Sequence, residues 1–123
     1  MRNRWTMKDV ERATAVVTNP EHFAVALEYR PQTMPAPIVV AKGMDDVALR
    51  IKEMARWHSI PIVENPPLAQ ALYRATDVGE AIPAKLYTAV AEILAFLYRT
   101  QAGLRSSIQA ARAAAGRTPG MGS

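Results

Sequence analysis

The sequence predicts an α/β fold in a single domain, and three observations support this prediction. The chain has 123 residues, half of them apolar, which is enough for one domain with a modest core. Short apolar runs bounded by proline, glycine or asparagine are typical of strands. Stretches with apolar residues at helical spacing lie between and after these runs. We therefore expect about four strands and three helices, with helices on both faces of the sheet.

The clearest strand has one bulky and one small face. From Phe23 to Tyr29 every second residue is large and apolar, whereas Ala24 and Ala26 fall on the other face. Alanine there indicates that another element packs closely against that face. The predicted strands are residues 15–18, 23–29, 38–41 and 60–63.

Helices are predicted where acidic residues or prolines precede an amphipathic stretch. The pair Asp45-Asp46 places negative charge at the start of a helix of about 13 residues, where the helix dipole favours it. Asn65 before two prolines suits the cap of a second helix, because proline is tolerated in a first turn. The strand–helix–strand order predicts a parallel pair in which 38–41 lies beside 60–63.

The basic excess lies at the two ends of the chain. Residues 1–20 carry four basic and two acidic side chains, and residues 21–98 carry seven basic and nine acidic ones. Residues 99–123 carry four arginines and no acid in a stretch rich in alanine and glycine. We predict a linker over 1–13, a folded body over 14–98 and a disordered tail over 99–123. The linker and the tail are the flexible, basic termini of the chain.

Composition and motifs exclude several functional classes. Without cysteine the chain has no zinc-thiolate site or cysteine nucleophile, and two histidines leave little for a metal cluster, so we expect no metal and no cofactor. Phosphate loops, dinucleotide fingerprints and serine-hydrolase motifs are missing. No apolar run approaches the roughly 20 residues of a membrane span, so we expect a soluble, cytoplasmic chain. Basic charge on the terminal arms, rather than on a folded face, argues against nucleic acid as a partner.

The tetrapeptide Asn19-Pro20-Glu21-His22 is the motif that suggests chemistry. An asparagine side chain can form a five-membered imide with its own backbone, usually after attack by the N–H of the next residue. Pro20 has no N–H, which closes that route. In the remaining route the Asn19 side-chain nitrogen adds to the Asn19 carbonyl carbon and the Pro20 nitrogen leaves. The motif therefore suggests self-cleavage between Asn19 and Pro20.

This step needs assistance, because an amide is a poor nucleophile and an amine is a poor leaving group. A tight turn could hold the side chain at attack distance, and strain at the strand end could be relieved by the cut. His22 could move protons at neutral pH, with Glu21 orienting its ring. The alternative interpretation is that Asn19-Pro20 forms an ordinary turn and that His22 lies on a strand face.

The sequence around this motif resembles the FlhB/YscU family, the switch proteins of flagellar and virulence type III export machines. The cleavage region is similar over residues 16–29, and Pro37-Ile-Val-Val-Ala-Lys-Gly43 matches a family pattern. Further similar segments are 48–52, 60–73 and 79–83. The resemblance covers residues 15 to 98. The sequence is more similar to the flagellar branch of the family than to the virulence branch.

The resemblance implies a fold and a function. The family domain is a small four-stranded mixed sheet surrounded by helices, and it cuts itself between Asn and Pro of an Asn-Pro-Thr-His motif. The halves stay associated, and the export machine then changes from early to late substrates. Carried over, Asn19 is the attacking residue, Pro20 becomes a new N-terminus and His22 assists. The implied partners are other export-apparatus proteins, export substrates and the chain's own N-terminal fragment, with residues 34–36 as candidate contacts.

Two departures from the family pattern leave an alternative open. Glu21 replaces the family threonine, so an anion stands where a hydroxyl could relay a proton. The membrane helices that precede the family domain, at the cytoplasmic face of the bacterial inner membrane, are absent here, so the membrane is expected as a partner only through that missing part. The alternative function is a non-cleaving module of the same fold that docks export substrates or export components.

Overall fold

A computed structural model of the chain describes residues 4–20 and 22–100. The described residues divide into two compact units, the first ending at Ala91 and the second beginning at Glu92. The first unit contains the sheet, and in the second unit residues 92–100 are helical. The elements of the first unit are β1 (Ala15–Asn19), β2 (Phe23–Glu28), β3 (Ile38–Met44), α1 (Asp46–Trp57), β4 (Ile62–Glu64) and α2 (Pro66–Ala75). Short 3₁₀ segments cover Met7–Arg12 and Ala84–Leu86, and residues 87–91 are helical.

The four strands form one mixed sheet in the order β3-β2-β1-β4, which confirms the predicted fold class. β2 is antiparallel to both β1 and β3, whereas β4 is parallel to β1. The expected pairing of 38–41 with 60–63 is wrong. β3 and β4 run in the same direction but lie at opposite edges of the sheet. A crossover helix determines direction and hand, but not how many strands the connection skips.

One face of the sheet is built from small residues and covered by α1. Side chains alternate between the two faces of a strand, and Val16, Ala24 and Ala26 share one face. They pack with the buried face of α1, which consists of Ala48, Ile51 and Ala55. This confirms the expectation that a second element packs against the alanine face of β2.

The 3₁₀ segment Met7–Arg12 joins the same core. Its Val10 is completely buried and belongs to the cluster formed with α1 and the sheet. The sequence predicts a linker over 1–13, and Val10 within that stretch packs into the core. Residues 101–123 of the predicted tail lie outside the described residues.

The other face of the sheet carries the bulky side chains and packs against α2. The Phe23 and Tyr73 rings lie 4.7 Å apart between centroids, which ties β2 to α2. Lys42 of β3 reaches the same place: its Nζ donates to the Tyr73 carbonyl oxygen at 2.7 Å and lies 4.7 Å from the Tyr73 ring centroid. A cation at the last turn of a helix is favourable. The helices thus lie on opposite faces, as predicted.

Candidate functional site

Asn19, Pro20 and His22 lie together in the tight connection between β1 and β2. Asn19 is the last residue of β1 and pairs with Phe23, the first residue of β2. The His22 N–H donates to the Asn19 carbonyl oxygen at 2.9 Å and closes a four-residue turn. Pro20 occupies the second position, where the fixed φ of proline suits common turns. Glu21, the fourth predicted site residue, lies outside the described residues.

The hydrogen bond within the turn acts on the carbonyl that the predicted reaction attacks. The Asn19 oxygen accepts from the His22 N–H, and this oxygen would gain negative charge as the side-chain nitrogen adds to the carbonyl carbon. A donor aimed at such an oxygen stabilises the charge as it develops. The backbone of His22 can therefore contribute to the chemistry independently of its imidazole.

The three site side chains differ in exposure. Asn19 and Pro20 are half-buried, whereas His22 is exposed and its ring lies 6.5 Å from the Phe23 ring between centroids. An exposed imidazole can exchange protons with water, which a proton-moving role requires.

Two further residues, missed by the sequence analysis, bind the turn from neighbouring elements. The Asp45 N–H donates to the His22 carbonyl oxygen at 2.9 Å, and the Asn65 N–H donates to the Thr18 carbonyl oxygen at 2.9 Å. Both residues end a strand ladder and directly precede a helix. The sequence did indicate both helix starts, but it carried no sign that their backbones meet the turn.

A second asparagine–proline bond, Asn65–Pro66, lies at the start of α2. The Asn65 side-chain oxygen accepts from the Leu68 N–H at 3.3 Å and caps the helix. Pro66 and Pro67 have no N–H, so Leu68 supplies the first donor of the helix that needs a partner. Here the asparagine side chain is used for folding, as the sequence predicted for the helix cap.

Other candidate features lie away from the turn. The loop over 34–36 follows β2, whereas the turn precedes it, so the two lie at opposite ends of that strand. Ala36 is buried, which removes it as a contact residue.

His58 also lies away from the turn. The distance from the His58 Nε2 to the Glu11 Oε2 is 3.6 Å. In the described residues there is no group of three or more metal-ligating side chains. Among the same residues, no helical segment combines the length and the apolar character that a membrane span requires.

Comparisons with known proteins agree on one family. The sequence profile described as the FlhB HrpN YscU SpaS Family matches residues 1–97. The chain is 54% identical over 99 residues to the flagellar biosynthetic protein FlhB of Yersinia enterocolitica, covering 80% of this chain and 26% of that protein. It is 51% identical over 96 residues to FlhB of Salmonella typhimurium, covering 78% and 25%. The chain thus spans about a quarter of the length of these relatives.

Solved structures support the same relationship. The crystal structure of the cytoplasmic domain of FlhB from Shewanella putrefaciens matches with a TM-score of 0.73 and 46% identity, covering 80% of this chain and 81% of that one. A mutated EscU C-terminal domain matches with a TM-score of 0.70 and 31% identity, covering 73% and 90%. The mixed sheet with flanking helices is therefore shared with these domains.

Proposed function

Because the chain belongs to the FlhB, HrpN, YscU and SpaS family of type III export proteins, we propose that it controls export substrate specificity after cutting itself between Asn19 and Pro20. The observation that carries this proposal is the hydrogen-bonded turn that contains the Asn19–Pro20 bond and His22. Each molecule would cut once, so the reaction is not that of a turnover enzyme.

The proposed reaction is a cyclisation of Asn19. The side-chain nitrogen forms a bond to the Asn19 backbone carbonyl carbon, and the carbonyl oxygen gains negative charge. The carbon–nitrogen bond to Pro20 then breaks, and the proton lost by the attacking nitrogen is balanced by the proton taken up by Pro20. One product ends in a five-membered imide and the other begins with the secondary amine of Pro20. Water later opens the imide.

The residues of the turn have separate tasks in this proposal. The His22 N–H stabilises the developing oxyanion, and the exposed His22 imidazole carries a proton from the attacking nitrogen to the leaving one. The turn holds the reacting groups close together, so less translational and rotational entropy is lost on reaching the transition state. Glu21 carries a negative charge beside the imidazole in sequence and would influence its orientation.

The position of β1 explains how the cut could change a surface without separating the fragments. β1 lies between β2 and β4, and it is bonded to both. A cut at its end frees the turn but leaves two strand ladders intact. We propose that the freed surface is then recognised differently by export substrates or by other export-apparatus proteins, at the cytoplasmic face of the inner membrane, where segments outside this chain would anchor it.

The test is intact-mass analysis of the purified chain during incubation near neutral pH. We expect two fragments, one beginning at Pro20 and one ending at Asn19 that first lacks one water relative to the hydrolysed product. Asn19→Ala should remain a single chain. Asn65→Ser, which removes the other asparagine–proline bond, is the control and should not abolish the cut. A wild-type chain that stays intact would refute the cleavage.

A second candidate function keeps the fold and omits the reaction. In this case the chain is a non-cleaving module that docks export substrates or export components, and the presence of Glu21 in place of threonine favours it. Glu21→Thr separates the two candidates. If only the Glu21→Thr chain is cut, the docking function describes the natural sequence.

A further inference from the structure

We infer that the residues preceding the two helices, Asp45 and Asn65, are positioning residues for the Asn19–Pro20 turn. The inference rests on the cleavage proposed above and assigns two further residues to it. Neither side chain needs to reach the reacting atoms, because both act through backbone N–H groups. Together they hold the peptide units on either side of the turn.

Asp45 adopts a backbone conformation that few residues other than glycine adopt. Its φ is 53° and its ψ is −118°, and its side chain does not cap α1. Two demands meet at Asp45 and require this conformation. Its N–H bonds to the His22 carbonyl oxygen, as in a continued strand ladder, and the next residue already belongs to α1. Strained backbone of this kind persists where the surrounding structure imposes it.

A side chain at position 43 would disturb both the backbone conformation of Asp45 and the packing of α1. A Cβ added at Gly43 would collide with the Val47 Cγ1 and would lie 2.8 Å from the Val47 Cβ, in the first turn of the helix. Any side chain at position 43 must therefore displace the start of α1. Because Asp45 lies between these two residues, its N–H would move with them.

Asn65 restrains the peptide that enters the turn, as Asp45 restrains the peptide that leaves it. Its N–H bonds to the Thr18 carbonyl oxygen at 2.9 Å, one residue before Asn19. Its side chain meanwhile caps α2 through Leu68. The start of α2 is thereby fixed to the peptide that enters the reacting residue.

These contacts leave the turn little freedom. The carbonyl oxygens of Thr18, Asn19 and His22 accept from Asn65, His22 and Asp45, respectively. Two of the three donors come from helix starts on opposite faces of the sheet. A reaction that depends on the Asn19 side chain meeting its own carbonyl carbon is sensitive to such restraint, since misplacement by about 1 Å can slow a positioned reaction about a hundredfold.

The first test displaces the start of α1. Gly43→Ala should slow the appearance of the Pro20 fragment by about tenfold or more at equal folded fraction. The double variant Gly43→Ala with Val47→Gly, which removes both the Cγ1 and the Cβ that the new side chain would meet, should return the rate to that of Val47→Gly alone. Equal rates in Gly43→Ala and the wild type would overturn the role of Asp45.

The second test loosens the start of α2. Asn65→Ala removes the side-chain cap and should slow cleavage several-fold, whereas Asn65→Ser, which retains a capping oxygen, should cleave at close to the wild-type rate. Equal rates in Asn65→Ala and Asn65→Ser would overturn the role of Asn65. If Gly43→Ala fails to fold, the pair Asp45→Val and Asp45→Gly takes its place: valine disfavours the positive φ of 53° and should slow cleavage, whereas glycine tolerates it and should cleave at close to the wild-type rate, and equal rates would overturn the role of Asp45.

Hydrogen exchange in the uncleavable Asn19→Ala chain separates this inference from the proposed function. The His22 and Asp45 amides should be protected there, and Gly43→Ala should accelerate their exchange about tenfold or more while the core amides of β1 remain protected. Exchange at His22 that does not respond to Gly43→Ala would refute the positioning role. A wild-type chain that is never cut, with the exchange response intact, would refute only the cleavage.

Discussion

Two asparagine–proline bonds follow neighbouring parallel strands in this molecule. Asn19–Pro20 ends β1, and Asn65–Pro66 follows β4, with Thr18 opposite Glu64 in the ladder. In both cases the asparagine carbonyl oxygen accepts a backbone hydrogen bond at 2.9 Å, from His22 and from Ala69, respectively. The dipeptide and the polarised carbonyl are therefore common to the two junctions.

The junctions differ in what the chain does next. After Asn65 the chain enters α2, and the asparagine side chain is occupied by the Leu68 N–H. After Asn19 the chain reverses within a four-residue turn beside an exposed histidine. The Asn65 side chain is occupied as a helix cap, whereas Asn19 lies at the end of a strand, so we expect the cut only at Asn19–Pro20.

Removing the anchor of α2 should have the largest effect on stability. Leu72 is completely buried, and Leu72→Ala in the uncleavable Asn19→Ala chain should lower the free energy of unfolding by about 3 kcal/mol through lost burial and a cavity. Urea denaturation measures the difference. Leu49→Ala, at a half-exposed position of α1, is the matched control and should be nearly neutral. Equal losses in the two variants would contradict the packing of α2.

Removing the cap at the second junction should have a smaller effect. In the same Asn19→Ala chain, Asn65→Ala should lower the free energy of unfolding by about 1 kcal/mol, because the Leu68 N–H loses its acceptor. Asn65→Ser should restore most of the loss in the same urea titration. If serine and alanine are equally destabilising, the Asn65 side chain does not stabilise α2.

Changing the proline at the first junction tests its chemistry more than its stability. Pro20→Ala should lower the free energy of unfolding by about 0.5–1 kcal/mol, because the unfolded chain gains freedom. The new N–H at position 20 also opens the usual imide route, in which the backbone nitrogen attacks the Asn19 side chain. Mass analysis should then detect deamidated, uncut chain. Unchanged cleavage without deamidation would contradict the proposed role of Pro20.

The smallest expected effect concerns Asp9, upstream of the first junction. The Thr6 backbone N–H at 2.7 Å and the Arg12 guanidinium at 2.6 Å hold the pKa of Asp9 below its ordinary value of 3.8. A carboxyl with a lowered pKa stabilises the fold above its ordinary pKa, and this contribution is lost as the pH falls through the lowered value. Asp9→Asn should cost less than about 1 kcal/mol near neutral pH. In urea titrations the difference should vanish in strong acid, and a difference that persists there would contradict this role.

Local patterns in the sequence were sufficient for most of the fold. The alternation in β2 indicated both a bulky and an alanine face, and the structure packs α2 and α1 against them. The neighbour of β4 was predicted wrongly because the crossover through α1 passes over two strands. Strand neighbours depend on the packing of the whole sheet, which local spacing does not encode.

The candidate site also has a part that the sequence predicted and a part that it did not. Asn19, Pro20 and His22 are adjacent in sequence, and the chemistry of an asparagine before a proline is visible in the residue names alone. Asp45 and Asn65 were missed as turn contacts because they act through backbone N–H groups, which almost every residue has. No side-chain pattern marks such a contact.

The sequence by itself determined the main strands and helices, their buried faces and the Asn19–Pro20 dipeptide of the proposed cut, because each depends on residues within a few positions of one another. Tertiary structure alone decided the strand order and which backbone groups bind the turn. The physical reason is that these features depend on hydrogen bonds between segments more than twenty residues apart, such as Asp45 to His22 and Asn65 to Thr18.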